Sequence, residues 1–379
     1  MSQPLLLKEL RETVFEYMDP SFRFHLSLHL PSLRSVEKRA HLKINKLILN
    51  DNEITVNKTT YKFSIDRKYE IEKPPLRRNG PVDHDVDEFG FKTFTKDIIM
   101  NGDVRMENHG NYDVNTLRRM SLRDEESVPM KTLEKKGIPK SKSTLKLTIT
   151  SGNGEPWIYT CSKITKIYEG MKMLIATMFG NRTVIWDVDF MIISTKNLRW
   201  IVSGVKPFVR KMKLGCYRFA NLDGLRSICH ETSFPLNWLC FEASDIILGH
   251  EILVNAEYLV VGSQLYNYDS MDLLMKISNL KVRLPPISLN TFAHLMDLWL
   301  EHGRPVGTNW SFRVKGSELS EYISTLREIA QAIESDRRSI KMPMSPSSIL
   351  SVSYDDPILH GAINRQEMIW TVKMEVLQR

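Results

Sequence analysis

The sequence predicts a mixed α/β chain, α+β overall, and three observations support this class. Apolar residues recur at three- and four-residue spacing in several segments, which is typical of helices with one buried face. In other segments apolar and polar residues alternate, which is typical of half-buried strands. The two patterns follow each other along the C-terminal part of the chain, and this order favours a sheet lined by helices.

Composition is that of an ordinary globular protein. The chain has 379 residues, of which 42% are hydrophobic, so it can bury a large core and form about two or three units. The net charge of +7 is small beside 52 basic and 45 acidic residues. The densest basic stretch runs over residues 206–213 with apolar residues interleaved, which favours a solvated strand edge or loop, with an anionic partner as the alternative. We expect no nucleic-acid partner.

Cysteine content and the N-terminus favour a reducing compartment. Four cysteines are scattered without a CxxC pair, so we expect free thiols. The N-terminus carries charges within its first dozen residues and lacks the apolar core of a signal peptide. No stretch approaches the roughly 20 apolar residues of a membrane span. We therefore predict an intracellular protein of the cytoplasm or nucleus, without a membrane partner.

The first 40 residues are predicted to be helical. An apolar face over residues 4–19 indicates a helix, which Asp19-Pro20 ends because a residue before proline avoids the helical region. A second short helix is expected over residues 22–30, and Pro31-Ser32 starts a third turn. Together these segments form a helical hairpin over residues 1–40.

Residues 41–100 are predicted to form a small antiparallel β unit. Its apolar residues alternate with polar ones and are Leu42, Ile44, Leu47, Leu49, Ile54, Val56, Tyr61, Phe63, Ile65, Tyr69 and Ile71. Asp51-Asn52 signals a turn, and Pro74-Pro75 and residues 79–81 break the pattern. Residues 101–143 lack apolar periodicity, which predicts a linker. Within it, residues 118–121 resemble a basic-directed kinase site at Ser121.

Residues 144–379 are predicted to be an α/β domain of helix–strand repeats. An apolar stripe runs from Ile164 to Phe179, with Gly180 at the position of a left-handed C-cap, and a strand follows. The same order recurs after Ser288, a predicted helix cap, and between them Leu222 to Val282 contribute shorter helices and strands. Leu253 and Leu259 are predicted to share one of these strands, and Leu273 and Leu274 to begin a further turn and strand. Such repeats bury their apolar faces by stacking, which favours a curved sheet resembling that of leucine-rich repeats. An ordinary α/β or α+β domain is the alternative.

Catalytic and cofactor motifs are missing from the sequence. It contains no glycine-rich phosphate loop, no GxSxG elbow and no HExxH, so we predict no enzyme, no catalytic residue and no cofactor. His25 and His29 have the spacing of two metal ligands but lie among apolar residues, which favours a structural role. Residues 83–90 offer several carboxylates but not the EF-hand order, so we interpret them as a solvated acidic loop and predict no metal site.

A spaced set of residues in the N-terminal helices carries a first resemblance, and its members are Leu6, Glu9, Leu10, Val14, Tyr17, Asp19, Pro20, Leu26, Ser27 and Leu28. At these positions the segment resembles the first half of an F-box. Leu7 replaces the usual proline, and residues 30–33 replace the later basic and tryptophan segment. The resemblance implies that this segment docks on the Skp-type adaptor of a cullin-type ubiquitin ligase.

A second resemblance covers nearly the whole chain. The motifs that carry it are Ser32–Lys38, His84–Gly90, the helix Met171–Gly180 and the late segment Gly303–Thr308. With these motifs the sequence is similar to a nematode-expanded family of F-box-associated proteins that carry a domain of unknown function. The family implies protein partners but no defined biochemical activity.

These observations lead to the hypothesis of a protein–protein interaction module, acting as a substrate-receptor-like subunit of a ubiquitin ligase. Its C-terminal domain would bind a target protein. The alternative is an F-box-degenerate scaffold or interaction protein with no ligase link, and the same apolar residues would then pack on the protein's own β domain. The residues predicted to bind the adaptor are Leu6, Leu7, Leu10, Val14, Phe15, Met18, Pro20, Leu26 and Leu28.

Overall fold

The chain forms two units, each of mixed α/β structure. The first comprises Met1–Lys211 and Ala220–Ser233, and the second Met212–Phe219 and Phe234–Arg379. The predicted mixed class is confirmed by the element content of both units. The computed structural model describes residues 12–69, 79–93, 102–106, 140–152, 154–195, 197–200, 203–215, 221–241, 249–262, 277–329, 334–335, 338–358 and 369–379.

The first unit is built on a mixed sheet. Its strands are β1 Lys43–Leu49, β2 Glu53–Val56, β3 Thr59–Lys68, β4 Gly80–Val82, β5 Val104–Arg105, β6 Lys142–Ser151, β7 Trp157–Cys161, β8 Trp186–Ile193, β9 Asn197–Leu198 and the start of β10 Pro207–Leu214. The sheet order is β8-β1-β2-β3-β6-β7, with β4 paired to β3 and β5 paired to β9 apart from the sheet. β1 and β8 are parallel, and the pairs from β1 to β7 are antiparallel.

The strand positions agree with the alternation seen in the sequence. The antiparallel pairing of β1, β2 and β3 is confirmed, and their apolar residues are buried in alternation. β3 pairs along its whole length with β6. The linker prediction for residues 101–143 is wrong at β5 and at the first residues of β6, because these residues form strands. The predicted break at residues 79–81 is wrong, because Gly80–Val82 forms β4, with Pro81 exposed in a strand that has one partner.

Helices cover the sheet of the first unit. Residues 12–17 are helical, and the later helices and 3₁₀ turns are α1 Pro20–His29, the turn Pro31–Leu33, α2 Arg34–Arg39, α3 Ile167–Phe179, α4 Gly224–Ile228 and the turn Glu231–Ser233. The predicted short helix after Asp19-Pro20 and the third turn after it are confirmed. Residues 4–11 of the predicted first helix and residues 118–121 lie outside the described residues.

Helix α3 packs closely on the sheet because a glycine removes a side chain at the contact. A Cβ atom on Gly170 would lie 3.0 Å from Phe63 Cζ and 3.1 Å from Leu145 Cδ2. The predicted left-handed C-cap at Gly180 is wrong, because its φ is −69° and the positive φ of 58° belongs to Asn181. Gly180 is needed for space instead, since a Cβ there would lie 2.5 Å from the carbonyl oxygen of Ala176.

The second unit combines parallel and antiparallel strands. Its elements are the end of β10, β11 Trp238–Phe241, α5 Glu251–Val254, β12 Tyr258–Val261, β13 Lys281–Arg283, α6 Leu289–His302, β14 Asn309–Lys315, α7 Gly316–Ile329, β15 Glu334–Ser335, β16 Ser339–Ser345, β17 Ser348–Ile358 and β18 Ile369–Gln378. The strand order is β15-β16-β17-β18-β14-β13-β12-β11. The neighbouring strands from β11 to β14 are parallel. The pairs β14–β18, β18–β17, β17–β16 and β16–β15 are antiparallel.

Local sequence signals set the bounds of α6. The Ser288 hydroxyl accepts a hydrogen bond from the Thr291 amide at 3.2 Å, as predicted for the cap, and Gly303 ends the helix with φ of 71°. Trp299 on α6 meets Trp310 on β14 edge to face, with ring centroids 5.2 Å apart. Strand β18, predicted from its alternation, is confirmed and pairs with both β14 and β17.

Two further predictions in the second unit have different outcomes. Leu253 was assigned to the strand that contains Leu259, but it lies in the short helix α5. Leu273 and Leu274 lie outside the described residues. Among the residues that the structure describes, no helix combines the length and apolar character needed to cross a bilayer.

Candidate functional site

The helical segment at the N-terminus bends at Asp19-Pro20. Asp19 Oδ1 accepts hydrogen bonds from the backbone amides of Ser21 at 2.8 Å and Phe22 at 3.4 Å, and Pro20 occupies the first turn of α1. The same dipeptide therefore ends one helix and starts the next. The Ser21 hydroxyl also donates to the carbonyl oxygen of Val56, which ties α1 to the sheet.

The inner side of this segment is a small apolar cluster. Phe15 packs with Val36 and Ala40, all buried, and three partly buried residues, Met18, Leu26 and Leu33, pack against them. Because Phe15 is only 5% exposed, its ring is committed to the protein's own fold. Such a residue contributes to stability and offers little surface to a partner.

Four large apolar residues of the segment are exposed to solvent. Val14 is 53% exposed, Tyr17 88%, Phe22 53% and Leu30 46%. They lie on residues 12–17, on α1 and just after it, so they follow one another along the bent helices. We call them the outer apolar residues. Scattered exposed apolar side chains are common, but four within one short helical segment are typical of a contact surface.

The residues predicted to bind an adaptor therefore divide into groups. Leu6, Leu7 and Leu10 lie outside the described residues. Val14 is exposed, Phe15 and Pro20 are buried, and Met18, Leu26 and Leu28 are half-buried. Tyr17, Phe22 and Leu30 were not predicted as contact residues. Helical periodicity could not predict them, because it assumes one continuous helix. The chain bends at Asp19-Pro20, so the residues before and after the bend do not follow one helical repeat.

A buried charge cluster holds the helical segment in place. Glu37 on α2 accepts hydrogen bonds from Arg23 Nη2 at 3.2 Å and from Arg182 Nη2, and Lys38 Nζ lies 3.6 Å from Glu37 Oε2. Arg23 also donates to the carbonyl oxygens of Ala40 and His41. We call Arg23, Glu37, Lys38 and Arg182 the ionic anchor. Breaking such a buried pair leaves an uncompensated charge, so the anchor fixes the geometry of the segment.

The three cations of the anchor share one carboxylate, and each of them also donates to backbone carbonyls. Lys38 Nζ donates to the carbonyl oxygens of Thr177 and Met178 near the C-terminus of α3, each at 2.6 Å. Burial, together with the charge of Arg182, lowers the pKa of Lys38 to about 7. Burial also lowers the pKa of Arg23 to about 10. Both shifts have burial as their largest cause, as expected for charged groups inside a folded core.

His25 and His29 are packed against the edge of the sheet. Their ring centroids are 4.5 Å apart, His25 lies 4.7 Å from the ring of Trp157, and His29 Nε2 is 2.8 Å from the Tyr159 hydroxyl oxygen. Desolvation, and then the proximity of His29, lower the pKa of His25. Within the described ranges no three His, Cys, Asp or Glu residues are grouped as metal ligands. The pair therefore joins α1 to β7.

The acidic loop at residues 83–90 uses its carboxylates to hold backbone. Asp85 Oδ1 accepts from the Ile167 amide at 2.6 Å at the start of α3, and Asp87 Oδ1 accepts from the amides of Phe89 and Phe91. The interpretation as a wholly solvated loop is wrong, because Asp85 is buried. The loop borders a cavity of about 250 Å³, which it shares with Asp51, Lys92 and Arg199 among others. The charges of both signs in this cavity give it no distinct ligand chemistry.

The structure thus defines a mixed α/β protein whose most prominent candidate site is an apolar surface on anchored N-terminal helices. Residues 166–316 match a family described as a domain of unknown function, DUF3557. The match begins at the start of α3 and runs through β14, so it includes part of both units. Comparison with curated proteins and with solved structures gives no significant match.

Proposed function

We propose that this protein acts in the cytoplasm or nucleus by binding other proteins, not by catalysis. Its N-terminal helices would dock on the Skp-type adaptor of a cullin-type ubiquitin ligase, as an F-box-like hairpin does. The second unit would present a surface to a target protein, which makes the chain a substrate-receptor-like subunit.

The observation that carries the proposal is the exposure of the outer apolar residues. They lie on a helical segment that is held to the rest of the unit by buried contacts. Val14, Tyr17, Phe22 and Leu30 face solvent, whereas Phe15 and the ionic anchor secure the helices beneath them. A partner that covers these four residues gains their burial without first having to order the helices. Preorganisation of this kind strengthens association because less entropy is lost on binding.

The parallel strands of the second unit support the part of the proposal that concerns a target. Leu239, Leu259, Val282 and Trp310 are buried on one face of β11 to β14. The residues that alternate with them are half-buried or exposed. Parallel sheets are usually covered on both faces. A parallel sheet with one accessible face resembles the leucine-rich-repeat arrangement, in which the open face binds partners.

The burial of Phe15 and Pro20 favours the alternative, an F-box-degenerate scaffold without a ligase link. Both residues are among those predicted to bind the adaptor, and both are buried inside the fold. The two functions differ in a single measurable property, which is capture of the adaptor by the outer apolar residues.

Co-purification of the full chain with a Skp-type adaptor tests the proposal. The variant Val14→Asp with Tyr17→Asp places two charges on the exposed surface, and we expect it to lose the adaptor while keeping its thermal stability. Val306→Asp, at a residue of the second unit that is 52% exposed, is the matched control and should keep the adaptor. If the unaltered chain captures no adaptor, or the double variant captures as much, the ligase link is wrong and the scaffold function remains.

A further inference from the structure

The accessible face of the parallel sheet in the second unit contains a groove of about 480 Å³. Its floor includes Trp238 at the start of β11 and two residues of β12, Tyr258 and Val260. Pro286, which follows β13, is an exposed wall. The volume lies within the usual range of ligand pockets. The groove can therefore accept one or two side chains of a bound segment.

Two arginines flank this apolar floor. Arg283 pairs in register with Val260 across β12 and β13, and with Ser311 across β13 and β14. Arg313 lies two residues beyond Ser311 on the same face of β14 and is exposed. Within the part of the chain that the structure describes, neither arginine makes a hydrogen bond or an ion pair. Both guanidinium groups are therefore available to an anionic ligand.

The described residues that line the groove carry charge of one sign. Among them are two arginines and no acidic residue. Glu375 on β18 lies on the same face of the sheet, because it pairs in register with Asn309. Asp355 lies one strand further from the groove, on β17, and its Oδ2 atom is 2.6 Å from Lys373 Nζ. Neither acid borders the groove. Two arginines without an ion-pair partner, and without a carboxylate among the described lining residues, complement a negatively charged segment.

We propose that this groove binds an acidic peptide segment of a partner protein, in which carboxylate or phosphate groups flank an aromatic or aliphatic residue. Arg283 and Arg313 would bind the anionic groups through their planar pairs of N–H donors, a geometry that suits carboxylates and phosphates equally. Trp238, Tyr258 and Val260 would contact the apolar side chain. All these residues lie within the segment that matches the domain of unknown function.

This inference extends the proposed function, because it assigns a chemistry to the target that the second unit would bind. It depends on a different surface from the adaptor-binding helices. An experiment can therefore contradict one proposal and support the other. Substitutions in the groove should leave capture of the adaptor unchanged.

Fluorescence polarisation with the full chain tests the groove. The probes are a labelled peptide with a leucine between pairs of glutamates, the same peptide with phosphoserines in place of glutamates, and a neutral glutamine version. We expect binding of the charged peptides, weakening as salt is raised, and little binding of the neutral one. Stronger binding of the phosphoserine peptide would identify phosphate as the preferred anion, and equal or stronger binding of the glutamate peptide would identify carboxylate.

The variant Arg283→Gln with Arg313→Gln should bind the charged peptide roughly tenfold more weakly or worse, because two charge-assisted contacts are removed. Arg327→Gln with Arg379→Gln removes the same charge from two exposed positions outside the groove and should bind as the unaltered chain does. Thermal unfolding checks that both variants fold.

Three results would overturn the assignment. They are no binding of either charged peptide, equal binding of the neutral peptide, and equal weakening by both pairs of substitutions. A single-stranded oligonucleotide serves as a competing probe, because arginines beside aromatic rings also suit nucleic acid. Tighter binding of the oligonucleotide at the same arginines would assign the groove to a different class of partner.

Discussion

Arginine occupies two contrasting environments in this protein. Arg23 and Arg182 in the first unit are buried around Glu37, and their Nη atoms also donate to backbone carbonyls. Arg283 and Arg313 in the second unit flank an open groove without an ion-pair partner among the described residues. The same side chain thus stabilises the fold in one region and remains available in the other.

The difference shows why a count of charges says little about function. A buried guanidinium loses its hydration and must be compensated by the protein itself, so its partners are fixed by folding. An exposed guanidinium keeps its hydration and costs little to leave unpaired. The two regions should therefore respond in opposite ways to substitution, with large effects on stability in the first and effects on binding in the second.

The largest effect is expected at the centre of the ionic anchor. Glu37→Gln removes the only carboxylate that the anchor contains and leaves Arg23 and Arg182 buried without their counter-charge. We expect the free energy of unfolding to fall by about 3–5 kcal/mol, as measured by chemical denaturation of the full chain. Glu12→Gln is the control, since it breaks a partly exposed pair with Arg39 and should cost at most about 1 kcal/mol. Equal losses in the two variants would contradict the structural role of the anchor.

An intermediate effect on stability is expected at His25, which is half-buried, whereas the anchor residues are buried and Arg313 is exposed. Burial, and then His29, lower the pKa of His25 from 6.5, so the unfolded chain binds a proton more readily than the folded one. The packing of neutral His25 therefore contributes fully to the free energy of unfolding above pH 6.5. This contribution is lost as the pH falls through the lower pKa of His25 in the folded chain.

Urea denaturation at pH 8 and at pH 5 measures this dependence. His25→Gln, which cannot titrate, should lose less stability on acidification than the unaltered chain. His302→Gln is the control, because His302 is an exposed histidine at the end of α6, and it should retain the full dependence. An unchanged pH dependence in His25→Gln would show that other groups cause it.

The smallest effect on stability is expected in the groove. Arg283→Gln with Arg313→Gln removes two side chains that have no partner among the described residues, so the free energy of unfolding should change by less than about 0.5 kcal/mol. Thermal unfolding of the double variant provides the measurement. A loss approaching that of Glu37→Gln would mean that these arginines are structural, and the contrast between the two regions would disappear.

Much of the secondary structure was predictable because its signals are local. The alternation in β3, the apolar stripe of α3 and the Ser288 cap each depend on residues within a few positions of one another. The error at Gly180 was also local in origin. Glycine after a helix commonly permits a positive φ, whereas here it avoids a clash with the Ala176 carbonyl, a contact that no composition pattern reveals.

The candidate surfaces were less predictable, because exposure depends on what a helix packs against. Val14 and Phe15 are adjacent and both apolar, yet one is exposed and the other is buried against Val36 and Ala40. Tyr17 and Phe22 lie on either side of the bend at Asp19-Pro20, so helical periodicity could not relate them to each other. The apolar character of the segment was evident, but its division into an inner and an outer side was not.

The sequence by itself determined the mixed α/β class, the order of most helices and strands and the lack of familiar catalytic motifs, because these depend on neighbouring residues. Only the tertiary structure decided that residues 23, 37 and 182 would meet in one buried cluster, and that Arg283 and Arg313 would flank one groove. Helix packing and strand order bring such residues together, and both result from the burial of apolar surface over the whole chain.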